Sequence, residues 1–151
     1  VPQMVRKIGV VNVMMSRGCV LLGYQIKKQG WECPGGKVEE GETIEHACSR
    51  ETYEETGRKI TIPTLKGFVD TGDEHLVPIY TSSALMLISE RLDSEQPNPE
   101  SHKFQCWKWF SLDNLPEDIT WLSAQAIQIA TGKEVTNHLP CPFKKKQKIP
   151  A

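Results

Sequence analysis

Three glutamates on one predicted helix are the residues best suited to chemistry in this sequence. A helix over residues 43–57 would carry an apolar stripe in its first turns, and that stripe continues into Glu51 and Glu55, with Glu54 beside them. Like charges at this spacing repel, and burying one unpaired is costly. A divalent cation bound by the carboxylate oxygens removes both costs, and hard oxygen ligands favour Mg²⁺, with Mn²⁺ as its substitute. A solvated acidic face is the alternative interpretation.

The helix lies within a longer pattern of fixed residues. From Gly36 to Arg58 the chain reads GKVEEGETIEHACSRETYEETGR. This segment resembles the Nudix box, G-x5-E-x7-R-E-U-x-E-E-x-G-U, in which U is a bulky aliphatic residue. All seven glycine and charged anchors are present at the required spacing. Two U positions depart from the pattern, Thr52 and Arg58, and Arg58 is expected to point to solvent.

The resemblance extends beyond the box to Nudix enzymes that clean nucleotide pools, including hydrolases of oxidised dGTP, 6-thio-dGTP and dihydroneopterin triphosphate. The segments that carry this similarity are Cys19–Gly23, Trp31–Gly36, Asn98–Glu100, Trp107–Phe110 and Leu115-Pro116. The fold that the resemblance implies is α/β, the Nudix α/β/α sandwich with a mixed sheet.

The resemblance also implies roles for residues that match the family's motif. Glu51, Glu54, Glu55 and the backbone carbonyl of Gly35 would ligate Mg²⁺. The catalytic set would comprise Glu54 and Glu55 together with two further residues. Arg50 would hold the carboxylates in place, and Glu100 matches a downstream acid that ligates metal or acts as a base in some relatives.

Substrate contacts are expected from Lys27, Gly36 and Trp121. Relatives usually carry a phosphate-binding Arg two residues after Leu-Leu-Gly, where this chain has Gln25. Lys27 or Lys28 could replace it, although a lysine lacks the fork of an arginine and both could equally be solvated. Trp121 could stack on the base, or it could instead anchor the last helix in the core.

The expected function is a Mg²⁺-dependent nucleoside triphosphate pyrophosphohydrolase that releases pyrophosphate and a nucleoside monophosphate. Cations would neutralise the phosphate charge and lower the pKa of the attacking water, while a Glu takes the proton. One alternative is a Nudix hydrolase of ADP-ribose, dinucleoside polyphosphates or capped RNA. Another is a nucleotide-sensing module without turnover, although such modules typically lose a box glutamate.

Local patterns predict the elements that must position these residues. Two helices are predicted, at Thr43–Thr56 and at Ile119–Thr131. Gly57 is expected to end the first helix in a left-handed conformation. Strands are predicted at Met4–Met15, Cys19–Ile26, Ile60–Val69, Leu76–Glu90 and Phe104–Phe110, with loops at Lys27–Gly36 and Ser94–Ser101.

Composition limits the protein class and its partners. The 151 residues suit one domain, placed at residues 1–136, with residues 137–151 as a flexible basic tail. No stretch resembles a membrane span or a signal peptide, and a net charge of −1 argues against a stable nucleic-acid partner. The five cysteines have no zinc or redox spacing and are expected to be reduced. The protein is expected to be cytoplasmic, with a nuclear location as the alternative if the Lys144–Lys148 cluster acts as an import signal. A homodimer is a further alternative to a monomer.

Overall fold

The structure is a computed structural model that describes residues 7–72 and 75–143. Its strands are β1 (Lys7–Ser16), β2 (Cys19–Gln25), β3 (Gly30–Glu32), β4 (Gly35–Lys37), β5 (Thr64–Asp70), β6 (His75–Ser83) and β7 (Phe104–Ser111). The helices are α1 (Ile44–Thr56) and α2 (Trp121–Thr131). The first residues of the strand predicted from Met4 and the Lys144–Lys148 cluster lie outside the described residues.

The described strands form one mixed sheet with the order β3-β2-β1-β6-β5. Strand β1 runs parallel to β6 and antiparallel to β2 and β4, while β7 pairs with β2. The strand β4, which is part of the glycine-rich approach to α1, is therefore hydrogen-bonded directly to β1.

Alternate residues of β1 face opposite helices, as the period of a strand requires. Val10 packs with Ala47 and Cys48 of α1. Val11 and Val13 belong to the core that also contains buried residues of α2. The sheet therefore lies between the two helices, and the predicted α/β/α sandwich with a mixed sheet is confirmed.

Several predicted boundaries were wrong, because strand partners end or begin elsewhere. Residues 27–36 contain β3 and the start of β4 rather than only a loop. The long strand predicted to Glu90 ends at Ser83, which is paired with Met15 near the end of β1. The strand predicted from Ile60 begins only at Thr64, after Pro63, which has no backbone N–H to donate.

The chain after α2 returns to the domain. Leu139 N–H donates to the Ile119 carbonyl at 2.7 Å, and Phe143 contacts the Trp121 ring. Residues 137–143, which the sequence assigned to a tail, therefore contact the folded unit. Within the described ranges, neither helix has the length and apolar character needed to cross a membrane.

Candidate active site

Helix α1 is fixed at both ends and at its centre. The Thr43 hydroxyl accepts from His46 N–H at 3.1 Å, and Gly57, with φ of 69°, donates its N–H to the Tyr53 carbonyl. In the middle, the buried Thr52 hydroxyl accepts from Asn12 Nδ2 at 3.0 Å. Helix α1 is thereby held in place on β1, and its acidic residues have defined positions.

Arg50 organises the carboxylates around the start of α1. It makes a two-point contact with Glu42, at 2.7 Å from Nε and 2.9 Å from Nη2. Its Nη1 donates to Glu51 at 3.0 Å and to Glu54 at 3.2 Å. The hydrogen bonds that Arg50 donates to Glu42 are the main reason that the pKa of the Glu42 carboxyl is lowered to about 2. One guanidinium therefore holds the loop acid and two of the expected metal ligands.

Strand β4 contacts Glu51 and Glu55 directly. A Cβ at position 36 would overlap the Glu51 carboxyl group, so glycine is the residue that lets this side chain lie against the strand. Gly35 N–H donates to Glu55 Oε1 at 2.8 Å, and Lys103 Nζ lies 3.3 Å from Glu55 Oε2. The glycine pair thus positions Glu51 and Glu55 through close backbone approach.

Burial of two of these carboxyls favours their neutral forms. The Glu55 residue is only 2% exposed, and burial raises its pKa to about 8. The Glu51 side chain is 16% exposed, and burial raises its pKa as well. The hydrogen bond and the charge of Arg50 act in the opposite direction and lower the Glu51 pKa, but burial has the larger effect. Glu54 is more open, with its side chain 49% exposed.

These carboxyls fit a divalent cation, because two desolvated carboxyls with raised pKa values gain most from a compensating positive charge. Across residues 7–72 and 75–143, no three acidic, histidine or cysteine side chains are already gathered as a metal-binding group. The reason is their present partners: Glu51 and Glu54 turn to Arg50, and Glu55 turns to Lys103.

A cleft of about 520 Å³ joins the glutamate region to an apolar region. Glu55, Gly35, Gly36 and Lys103 line it at the α1 side. The other lining residues include the first turn of α2 and the returning chain: Thr120, Trp121, Leu122, Ser123, Leu139, Pro140, Pro142 and Phe143. Trp121 packs against the core and also lines the cleft. Its position therefore agrees with the anchoring role and leaves it beside the space where a base could stack.

Among the expected site residues, Arg50, Glu51 and Glu54 lie on α1 outside the cleft lining, and two others lie on other segments of the chain. Lys27 is exposed and does not line the cleft; its neighbour Lys28 does, although Lys28 Nζ is paired with Glu32 at 3.1 Å. Glu100 is half-buried outside the cleft lining, and its backbone carbonyl accepts from Lys103 N–H at 2.9 Å. Its contact with the site is therefore through Lys103. Burial lowers the pKa of Lys103, but the nearby carboxylates, Glu55 foremost and then Glu100, together raise it above its ordinary value.

Sequence reasoning missed Lys103 and the residues from Leu139 to Phe143. Lys103 is 48 positions from Glu55, and no local spacing relates them. An indirect signal was available for Lys103: it follows the Asn98–Glu100 segment by three residues. Gln25 also lines the cleft, and its Oε1 accepts from Lys28 N–H, so it shapes the loop between β2 and β3.

Arg58, expected to point to solvent, is instead held by two partners. Its guanidinium contacts Glu90 at 2.8 Å and Gln96 Oε1 at 2.8 Å. Arg58, which stands where the pattern has an aliphatic residue, therefore ties the end of α1 to the segment between β6 and β7.

The five cysteines are all free thiols. Burial raises the pKa of the Cys33 thiol, which lines the cleft, to about 12.

Comparison with known proteins shows which family the chain resembles along most of its length. Residues 4–129 match the NUDIX domain. The chain is 32% identical over 131 residues to the oxidized purine nucleoside triphosphate hydrolase of Danio rerio, covering 76% of each protein. The protein of the same name from Mus musculus is 35% identical over 112 residues, which are 68% of this chain and 64% of that one.

A solved structure shows the same fold. The crystal structure of a MutT NUDIX hydrolase from Burkholderia pseudomallei has a TM-score of 0.70 and 28% identity, covering 83% of this chain and 98% of that one. The seven glycine and charged anchors of the box, the carboxylates that they place on α1, and these similarities lead to one conclusion. This chain belongs to the Nudix family and is a Nudix hydrolase.

Proposed function

We propose that the protein is a Mg²⁺-dependent nucleoside triphosphate pyrophosphohydrolase that releases pyrophosphate and a nucleoside monophosphate. The observation that carries this proposal is the composition of the cleft. The Glu55 carboxyl, Lys103 and glycine backbone lie at its α1 side, and aromatic and aliphatic side chains lie at the α2 side. A nucleoside triphosphate has the same division, with a charged phosphate chain joined to a planar base.

The α1 side would hold the cation and the phosphates. Glu51, Glu54, Glu55 and the Gly35 carbonyl would bind Mg²⁺, which when bound neutralises phosphate charge and lowers the pKa of the attacking water. Arg50 keeps Glu51 and Glu54 turned to one side of α1. Glu54, the most exposed of the three, is assigned the role of accepting the proton from water.

Lys103 would provide the phosphate contact that Gln25 cannot. Its Nζ lies 3.3 Å from Glu55, and it lines the cleft. If Glu55 bound a cation, the Lys103 ammonium would be available to the phosphates in the same cleft. A lysine can compensate phosphate charge as a point charge, without an arginine's two-point geometry.

The test is pyrophosphate release from a nucleotide panel in Mg²⁺, with Glu54→Gln and Glu55→Gln beside the unaltered chain. The panel contains ordinary and oxidised deoxynucleoside triphosphates, ADP-ribose, a diadenosine polyphosphate and capped RNA. Glu45→Gln is the matched control, since Glu45 is an exposed carboxylate of the same helix outside the Arg50 contacts. Pyrophosphate from triphosphates, lost in both site variants and kept in the control, is the expected result.

Each other outcome has a definite meaning. Turnover confined to ADP-ribose, dinucleoside polyphosphate or capped RNA would retain the Nudix chemistry and refute the substrate class. Tight binding of one nucleotide without cleavage of any would identify a sensing module. The proposal of nucleotide pool sanitation further requires that an oxidised nucleotide be cleaved with higher kcat/KM than its ordinary counterpart.

A further inference from the structure

The chain after α2 forms part of the cleft wall. The Ile119–His138 bridge and the hydrogen bond from Leu139 N–H to Ile119 O fix its course. The Leu139 side chain lies so close to Gly30 that a Cβ on Gly30 would overlap it. This segment is therefore seated on β3 and on the residues that precede α2.

The seated segment presents apolar side chains to the cleft beside Trp121. Leu139, Pro140, Pro142 and Phe143 all line the cleft. The Phe143 and Trp121 ring centroids are 5.8 Å apart with the planes at 67°. Two aromatic rings set edge to face form a corner, and a planar apolar ligand can lie against either face.

Thr120 adds a polar group to the same wall. The residue is 9% exposed and occupies the N-cap position of α2, but its side chain makes no capping hydrogen bond. Its methyl carbon faces Gly30. Among residues 7–72 and 75–143 its hydroxyl has no hydrogen-bond partner, and Thr120 lines the cleft. A hydroxyl that makes no capping hydrogen bond at a cleft wall is suited to bind a polar edge of a ligand.

The wall lies within reach of the carboxylates. Cys33 N–H donates to Ser123 Oγ at 2.9 Å, and Gly35 N–H donates to Glu55 Oε1 at 2.8 Å. Cys33 and Gly35 are two residues apart, and two residues of extended chain span at most about 7 Å. The distance from Ser123 Oγ to Glu55 Oε1 is therefore at most about this span plus the lengths of the two hydrogen bonds. One nucleotide can therefore place its phosphates near Glu55 and its base at the wall.

We propose that Leu139–Phe143 and Thr120 form the specificity wall of the cleft, in which Phe143 contacts the face of the nucleobase and the Thr120 hydroxyl binds its polar edge. The inference rests on the proposed function, and it assigns base selection to the chain beyond α2 rather than to the Nudix box. The occupant is the base of a nucleoside triphosphate, because the same cleft continues to the phosphate-binding side.

The first test separates base binding from phosphate binding. Binding of α,β-imido-dGTP and of inorganic tripolyphosphate is measured by calorimetry with Mg²⁺ for the unaltered chain, Phe143→Ala and Phe68→Ala. Phe68 is the matched control, an exposed phenylalanine of β5 that does not line the cleft. Phe143→Ala is expected to raise the Kd of the nucleotide about tenfold, the loss typical of one aromatic contact with a base. The Kd of tripolyphosphate, which has no base, is expected to stay unchanged in both variants.

The outcomes distinguish the wall from the proposed function. Equal weakening of both probes by Phe143→Ala, or an effect equal to that of Phe68→Ala, would overturn the wall while leaving the hydrolase intact. Failure of the unaltered chain to bind either probe would overturn the proposed function and the wall together. Circular dichroism of each variant confirms that the comparison is made on folded protein.

The second test addresses the Thr120 hydroxyl. Thr120→Val keeps the shape of the side chain and removes the hydroxyl, while Thr120→Ser keeps the hydroxyl. The ratio of Kd values for α,β-imido-dGTP and α,β-imido-dATP is expected to change about fivefold in the valine variant, a typical effect of one hydrogen bond. The serine variant is expected to restore the ratio. An unchanged ratio in Thr120→Val would show that the hydroxyl does not read the base.

Discussion

Replacing Thr52 by valine, the kind of residue that the Nudix pattern has at this position, is expected to destabilise this protein. The Thr52 hydroxyl is fully buried and accepts from Asn12 Nδ2 at 3.0 Å. Asn12 Oδ1 in turn accepts from Ser82 Oγ at 2.9 Å. The three side chains link α1 to β1 and β6, and Asn12 is itself buried.

The magnitude follows from the group that loses its partner. Valine has nearly the shape of threonine, so the packing changes little, but Asn12 Nδ2 loses its hydrogen-bond acceptor inside the protein. A buried donor left unsatisfied costs about 1–3 kcal/mol. We therefore expect a loss of about 2 kcal/mol in the free energy of unfolding, or about 4–8 °C in Tm for a chain of this length.

Urea unfolding monitored by circular dichroism measures this loss as a lower midpoint at an unchanged slope. The triple variant Asn12→Leu, Thr52→Val, Ser82→Ala removes every polar member of the network and is expected to recover most of the stability, because no buried donor stays without a partner. If Thr52→Val is as stable as the unaltered chain, the hydrogen bond to Asn12 does not hold α1 on the sheet.

Three further predictions concern the site itself. Arg50 lowers the pKa of Glu42 in the folded state to about 2, below its unfolded value of 4.5. Glu42 therefore stabilises the fold above pH 4.5, and this stabilisation is lost as the pH falls toward 2. Urea unfolding of Glu42→Gln should show a lower free energy of unfolding than the unaltered chain at pH 7, and this difference should disappear near pH 2. Gly36→Ala should displace the Glu51 carboxyl and weaken Mn²⁺ binding, measured by electron paramagnetic resonance, on the order of tenfold. Lys103→Met should raise the KM for a triphosphate by roughly tenfold, measured by pyrophosphate release, through loss of a charged contact to phosphate.

Matched substitutions control these experiments. Glu45→Gln alters an exposed carboxylate of α1 and should show no such pH-dependent deficit. Gly9→Ala adds a methyl group that makes only ordinary contacts, so Mn²⁺ binding should be retained. Lys108→Met alters an exposed lysine of β7, the strand that directly follows Lys103, outside the cleft. Equal effects in a site variant and its control would refute the corresponding role.

The sequence predicted α1 well because its evidence is local. The apolar stripe, the Gly57 terminus and the spacing of Glu51 and Glu55 all lie within one helix and its end. Positions three and four apart share a helix face whatever the rest of the fold does. The same locality explains why α2 and β7 were predicted with end errors of no more than two residues.

Strand ends were harder to predict, because they depend on a partner strand. Strand β6 could continue toward Glu90 by composition, but its partner β1 ends at Ser16. Strand β3 is only Gly30–Glu32, and it exists because β2 pairs with it. Hydrogen bonds across a sheet join distant parts of the chain, and periodicity within a strand does not report where they stop.

The sequence by itself determined the family pattern, the carboxylates and the helix that carries them, since fixed spacing on one helix is a local property. Only the tertiary structure decided what surrounds those carboxylates. It placed Lys103 against Glu55, brought Lys28 rather than Lys27 to the cleft, and folded Phe143 back onto Trp121. Each of these relations follows from how strands, helices and the returning chain pack together, which no spacing within a single element specifies.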